Sequence, residues 1–191
     1  NAGSSSLKFQ LISMPLEKKI SSGTIERIGN KKSKIQLFFN GSKVIIKEPI
    51  QDHKVAVMRL TELLIENKIL NDINDIDGVG HRVVQGGEIY KDSVIIDDKV
   101  IKKISKLSPL APLHNPANLI GIKAFMSLLP NVNHVAVFDT TFHQTMPKEN
   151  YLYSIPYELY KENKIRKYGF HGTSYRYVAD EARKVLNNEK A

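Results

Sequence analysis

Five short segments of the chain hold residue types that could manage an anion. Asn1-Ala2-Gly3-Ser4-Ser5-Ser6-Leu7-Lys8 sets a glycine before three hydroxyl residues. Such a run can form a tight turn whose amides and hydroxyls face a phosphate-like group. Lys8 adds a cation, and Asn1 could hold a metal ion or its water. A plain serine-rich turn would read the same way. Gly80-His81-Arg82-Val83-Val84-Gln85-Gly86-Gly87-Glu88 brings an arginine toward the end of an apolar strand. A guanidinium there needs an anion, either a ligand carboxylate or phosphoryl group or a structural carboxylate. The glycine pair permits close backbone approach. Pro109-Leu110-Ala111-Pro112-Leu113-His114-Asn115-Pro116 puts His114 just before a helix start, where free amides favour an anion.

The fourth segment, Val135-Ala136-Val137-Phe138-Asp139-Thr140-Thr141-Phe142-His143, ends a buried-type strand on Asp139. Strand ends of this kind carry ligand and metal groups in α/β sheets, and a carboxylate there can hold Mg²⁺. It can equally cap the next turn. The fifth, Tyr168-Gly169-Phe170-His171-Gly172-Thr173-Ser174, frees the backbone around Phe170-His171 and puts His171 one turn ahead of a helix. His81, His134 and His143 lack the spacing of metal ligands and read as structural.

The elements that must position these residues follow from periodicity. Leu7, Phe9 and Leu11 alternate as on a half-buried strand, Ile20 to Ile28 gives a second run, and Asn40-Gly41 marks a hairpin between Ile35–Phe39 and Val44–Ile46. His53 to Leu70 predicts a helix with Val57, Leu60 and Leu64 on one face. Val79 to Val84 predicts a short strand, and 93–107 is apolar but irregular. Asn115 with Pro116 predicts a capped helix start, with the helix running to about Leu129. His134 to Phe138 predicts a strand, and Ser154 to Asn163 a Pro-containing connection with a short helix. Thr173 or Ser174 is the expected cap of a last helix whose apolar face is Val178, Ala182, Val185 and Leu186. The order of three strands, helix, strand, helix, strand implies an α/β domain with a mixed sheet.

Composition excludes several classes. The 191 residues are 41% hydrophobic and 25% charged, in the range of a globular protein. There is no cysteine, so thiolate chemistry and disulfides are excluded. No apolar run approaches the roughly 18 residues of a membrane span. The formal charge of +8 raises nucleic-acid binding, but the lysines are spread along the chain, as on a solvated surface.

Taken together, N-A-G-S-S-S-L-K, G-H-R-V-V-x-G-G-E, P-L-A-P-L-H-N-P, V-F-D-T-x-F-H and Y-G-F-H-G-T-S resemble, in order and spacing, the acetokinase family. This is the branch of the actin-like ATPase superfamily that holds acetate, propionate and butyrate kinases. The resemblance runs from Asn1 to about Tyr177; Gln85 departs from it, standing where the family usually has histidine. It implies an RNase H-like lobe over residues 1–143, with 144–191 the start of a second, nucleotide-binding lobe. It implies phosphoryl transfer between ATP and acetate, with Mg²⁺ as the cofactor, in a cytoplasmic homodimer that binds no nucleic acid. By position, Arg82 would bind the substrate carboxylate, and Asp139 would work with the metal and the substrate oxygens. His171 would bond the phosphoryl group in flight, with His114 supporting it. Asn1, Ser4, Ser6 and Lys8 would form the phosphate-facing loop, with Lys8 toward the nucleotide and Asn1 toward the metal. Val84, Leu113 and Phe170 would enclose the substrate methyl. The complete frame is expected to add apolar residues before Asn1 and roughly 200 after Ala191, and the chain alone to be inactive.

Overall fold

A computed structural model describes residues 1–189. The first 50 residues form a five-stranded antiparallel sheet in chain order: β1 (Ala2–Gly3), β2 (Ser6–Ser13), β3 (Lys18–Glu26), β4 (Ser33–Phe39) and β5 (Ser42–Glu48). The expected Asn40-Gly41 hairpin is present. Both residues have positive φ, 47° and 74°, as the tight turn between β4 and β5 requires. Leu7, Ile25, Ile35 and Leu37 point from this sheet onto α1 (His53–Glu66), where Val57, Leu60 and Leu64 are buried. Helix α1 starts on an Asp52 side chain that accepts from the Val55 amide at 2.9 Å. It ends at Glu66 with Asn67 as its cap, short of the expected Leu70, where Lys68 turns left-handed (φ 54°) and the Ile69 amide folds back onto Leu64 O at 2.8 Å.

The second half builds a three-stranded mixed sheet, β6 (Gly78–Val83), β8 (Asn133–Phe138) and β7 (Val94–Ile95), in the order β6-β8-β7. Strands β6 and β8 run parallel with Val83 opposite Phe138; β7 pairs antiparallel to β8. The stretch read as irregular, 93–107, instead holds β7 and helix α2 (Asp98–Lys106). Its start is an Asp97 side chain that accepts from Val100 N at 2.7 Å, a local cap. Helix α3 (Asn115–Leu128) ends before Pro130 as expected, but Asn115 is not its cap. Asn115 is fully buried, and its amide makes both hydrogen bonds, donor and acceptor, to the Gln85 backbone at 3.0 Å. The capping position falls to His114, whose side chain makes no capping bond. Helices α4 (Lys148–Tyr151) and α5 (Tyr157–Asn163) follow, then α6 (Gly172–Leu186). Neither Thr173 nor Ser174 caps α6. The helix begins at Gly172, and His171 stands immediately before it in the left-handed region rather than a turn away.

Two of the histidines read as structural form one buried unit. His134 donates through Nε2 to Leu129 O at 2.9 Å, which leaves its Nδ1 to accept from His81 Nε2 at 3.0 Å. Nδ1 of His134 is therefore unprotonated. Burial first, then the His134 ring, pushes His81 down to about 3. A depressed folded-state value means that this unit contributes stability fully above the unfolded value near pH 6.5. That contribution is lost as pH falls from there toward 3. Thermal melting of wild type and His81→Gln between pH 7.5 and 5 checks this: the wild-type midpoint should fall more steeply than that of the variant, and parallel curves would refute it.

Candidate active site

The parallel pairing of β6 and β8 brings two of the five segments to one sheet end. Asp139 is the first residue past β8, and its amide donates to Val83 O at 2.9 Å. Its carboxylate is 1% exposed. Arg82 answers it. The Arg82 Nε donates to both carboxylate oxygens, at 2.9 and 3.1 Å, and Nη2 donates to Oδ2 as well. The side-chain hydrogen bond with Asp139 raises the Arg82 pKa against the cost of its partial burial. Both open alternatives of the sequence thus meet in one pair: Arg82 has its carboxylate, and that carboxylate is the candidate ligand residue.

The fifth segment closes over this pair. Arg82 Nη2 lies 3.2 Å from His171 Nδ1. Guanidinium only donates, so Nδ1 accepts, and the imidazole proton sits on Nε2. His171 holds φ at 57°, a conformation uncommon outside glycine. Two contacts enforce it. The Gly172 amide donates to Asp139 O at 2.8 Å, and a Cβ on Gly172 would collide with that same carbonyl. His143 Nε2 donates to Phe170 O at 3.1 Å, so a histidine without metal spacing holds the loop that carries Phe170. With the Gly172 amide engaged, the Thr173 and Ser174 amides of the first turn of α6 have no hydrogen bond among the described residues, an electrostatic environment suited to an anion.

A cleft of about 650 Å³ joins these groups to the first and third segments. Asn1, Ser6, Lys8, Arg82, Val84, Leu113, His114, Asp139, Phe170 and His171 all line it. Ser4 does not line it; it sits exposed in the turn between β1 and β2. Leu113 and Phe170 are 80% and 44% exposed, so the apolar wall is open on one side. Among the described residues no three His, Asp or Glu side chains gather as a metal cage. Asp139 is the carboxylate that lines the cleft, and Mg²⁺ is commonly held by one or two carboxylates with substrate oxygens and water.

Several positioning residues were not singled out by sequence. Asn118 donates to Ala2 O at 2.8 Å and accepts from Val84 N at 3.1 Å, so one amide ties the first segment to the second. Thr140 Oγ accepts from Gly86 N at 3.0 Å, and Gly87 N donates to Gln85 Oε1 at 2.8 Å. His53 Nε2 donates to Gly3 O at 2.7 Å. The available signal was a pair of asparagines three residues apart on the otherwise apolar buried face of α3.

The Acetokinase family model matches residues 1–191. The acetate kinase of Acholeplasma laidlawii is 57% identical over 190 residues, covering 99% of this chain and 48% of that protein. The crystal structure of Porphyromonas gingivalis acetate kinase superimposes with a TM-score of 0.94 at 43% identity, over 99% of this chain and 48% of that one. A propionate kinase from Francisella tularensis gives 0.93 at 41%, with the same coverage. The chain spans about half the length of the curated relatives it matches. Its α/β architecture, with helices against a mixed sheet, is that of an actin-like ATPase domain. The five segments lie within one continuous family match, and three of them, bearing Arg82, Asp139 and His171, meet at one end of the β6–β8 pair: the chain belongs to the acetokinase family.

Proposed function

We propose that this chain forms the acid-binding half of an acetate kinase, a phosphotransferase that moves a phosphoryl group reversibly between ATP and acetate. The observation that carries the reading is the Arg82–Asp139–His171 cluster beside an apolar wall. Arg82 spends Nε and Nη2 on Asp139 and His171; Nη1 has no hydrogen bond among the described residues and is free for the acid's carboxylate. Val84, Leu113 and Phe170 take the methyl group. An acid oxygen attacks phosphorus as the bond to the ADP oxygen breaks, and charge spreads over the equatorial oxygens. His171 donates Nε2–H to one of those oxygens, with His114 a second donor beside it and the α6 amides adding to the positive field. Lys8 and Ser6 contact the phosphates from the first segment. Mg²⁺, when bound, would neutralise phosphate charge, with Asp139 and Asn1 the residues to hold it directly or through water.

The nucleotide side belongs to a second lobe that begins after His143. Support comes from α6, whose Val178, Val185 and Leu186 are 58%, 83% and 63% exposed and have no covering element among the described residues. The 191-residue chain alone is therefore inactive, and the working enzyme is a cytoplasmic homodimer of full-length chains. Propionate is the second reading, favoured by the structural similarity to a propionate kinase. One methylene is worth only about 1–3 kcal/mol in such a pocket.

Acyl phosphate formation by the full-length enzyme with acetate, propionate and butyrate tests the function; acetate should have the highest kcat/KM, and no acid-dependent product would refute the proposal. Shrinking Val84 to alanine should shift preference toward propionate by about tenfold, the low end of what one methylene is worth; an unmoved ratio puts the methyl elsewhere. Arg82→Ala should cost about 2–4 kcal/mol in kcat/KM. Because it also strands a buried carboxylate, it should lower the melting midpoint. Arg82→Ala with Asp139→Asn should regain the midpoint but not turnover; regained turnover would make the pair structural only.

A further inference from the structure

Behind the site lies a second ionic cluster to which neither the motifs nor the reaction assigned a role. Arg166 has a side chain only 4% exposed, and its Nη1 donates to Glu88 Oε1 at 2.9 Å. Its guanidinium stacks on the Tyr151 ring at 3.6 Å from the centroid. Tyr160 donates to the same Glu88 oxygen at 2.8 Å, and Lys164 Nζ lies 3.9 Å from the other. Burial opposes charge on Glu88, yet the Arg166 and Tyr160 hydrogen bonds outweigh it and hold the carboxyl below its ordinary value. Arg166 Nη2 is buried without a partner among the described residues. A buried ion pair is weak as a source of stability, and one with an idle donor is weaker still. Its geometry is more informative than its energy.

Glu88 lies six positions after Arg82, and Arg166 five before His171. The two segments are thus joined at both ends: Arg82 to His171 on the cleft, Glu88 to Arg166 behind it. Between the pins, the chain has little freedom. The Lys167 amide donates to Tyr151 O at 2.8 Å, and Tyr168 is buried. A Cβ on Gly169 would collide with the His143 ring. On the other side Gly86 donates to Thr140, and Gly87 O accepts from Gln144 at 2.8 Å. We propose that Glu88 and Arg166 are positioning residues, a rear clamp that sets where His171 and Phe170 stand relative to Arg82. The inference rests on the reaction proposed above, in which His171 meets the phosphoryl group. A displacement of His171 by an ångström is enough to matter, since misplacement on that scale can cost about a hundredfold in rate.

The test is a double-mutant cycle in the full-length kinase, with kcat, acid KM and melting midpoint read for each protein. Arg166→Met should lower kcat roughly ten- to hundredfold while acid KM changes less, about threefold. Arg166→Lys should recover little, because a point charge cannot both stack and pair as the planar group does. In a His171→Ala background, Arg166→Met should reduce kcat less than about threefold further, because the group it positions is gone. Two results would overturn the clamp: a folded Arg166→Met enzyme with wild-type kcat and only a lower melting midpoint, or losses that multiply in full in the His171→Ala background. Near-normal turnover by His171→Ala itself would instead sink the reaction assignment on which the clamp depends. Glu88→Gln, nearly isosteric, runs the same cycle if Arg166→Met does not fold.

Discussion

A carboxylate sealed from water needs a cation, and Asp139 gets one from a neighbouring strand. The whole site depends on that electrostatic demand. The parallel register of β6 and β8 puts Arg82 within reach of Asp139 without any loop having to adapt. Once paired, the guanidinium is held flat and charged, with one nitrogen shared with His171 and another without a hydrogen bond among the described residues. An arginine free in solvent would sample many rotamers and would have to be ordered by the substrate. Here the ordering is done during folding, so a ligand that meets the guanidinium need contribute little toward it.

The surrounding polar groups serve the same end by removing alternatives for the backbone. The turn after β6 buries Gln85, Gly86 and Gly87, and each buried amide finds a partner in Asn115, Thr140 or Gln85 itself. Unpaired, each would cost on the order of 1–3 kcal/mol. Asn118 does likewise between Ala2 and Val84. The first segment and the arginine-bearing strand are therefore registered to each other by one side chain from α3.

How much of this could be read from residues alone follows the distance over which each feature is decided. The Asn40-Gly41 turn, the alternation of Leu7, Phe9 and Leu11, and the end of α3 before Pro130 depend on neighbours in sequence, and they stand as expected. The Asp97 cap of α2 was equally local but lay in a stretch with no clean apolar period. The start of α6 was misread because the hydroxyls of Thr173 and Ser174 look like caps, whereas a carbonyl 33 positions back, on Asp139, draws in the Gly172 amide and sets His171 in the left-handed region. Arg82, Asp139 and His171 could be named in advance as separate candidates. That they touch was not legible, since their pairing depends on strand register and on partners 57 and 89 residues apart. Glu88 and Arg166, 78 apart, gave no local sign of each other.

Gly169 and Gly172 sit where any larger residue would strike the His143 ring or the Asp139 carbonyl. The site is thus guarded by residues that carry no functional group at all. Evolutionary drift, which usually finds glycines in loops permissive, is closed off on both flanks of His171. Leu113, 80% exposed, can change with little steric consequence, while the strip that carries His171 can change only together with the strand end it lies against. In this architecture the open apolar wall can therefore vary faster than the strip that holds His171.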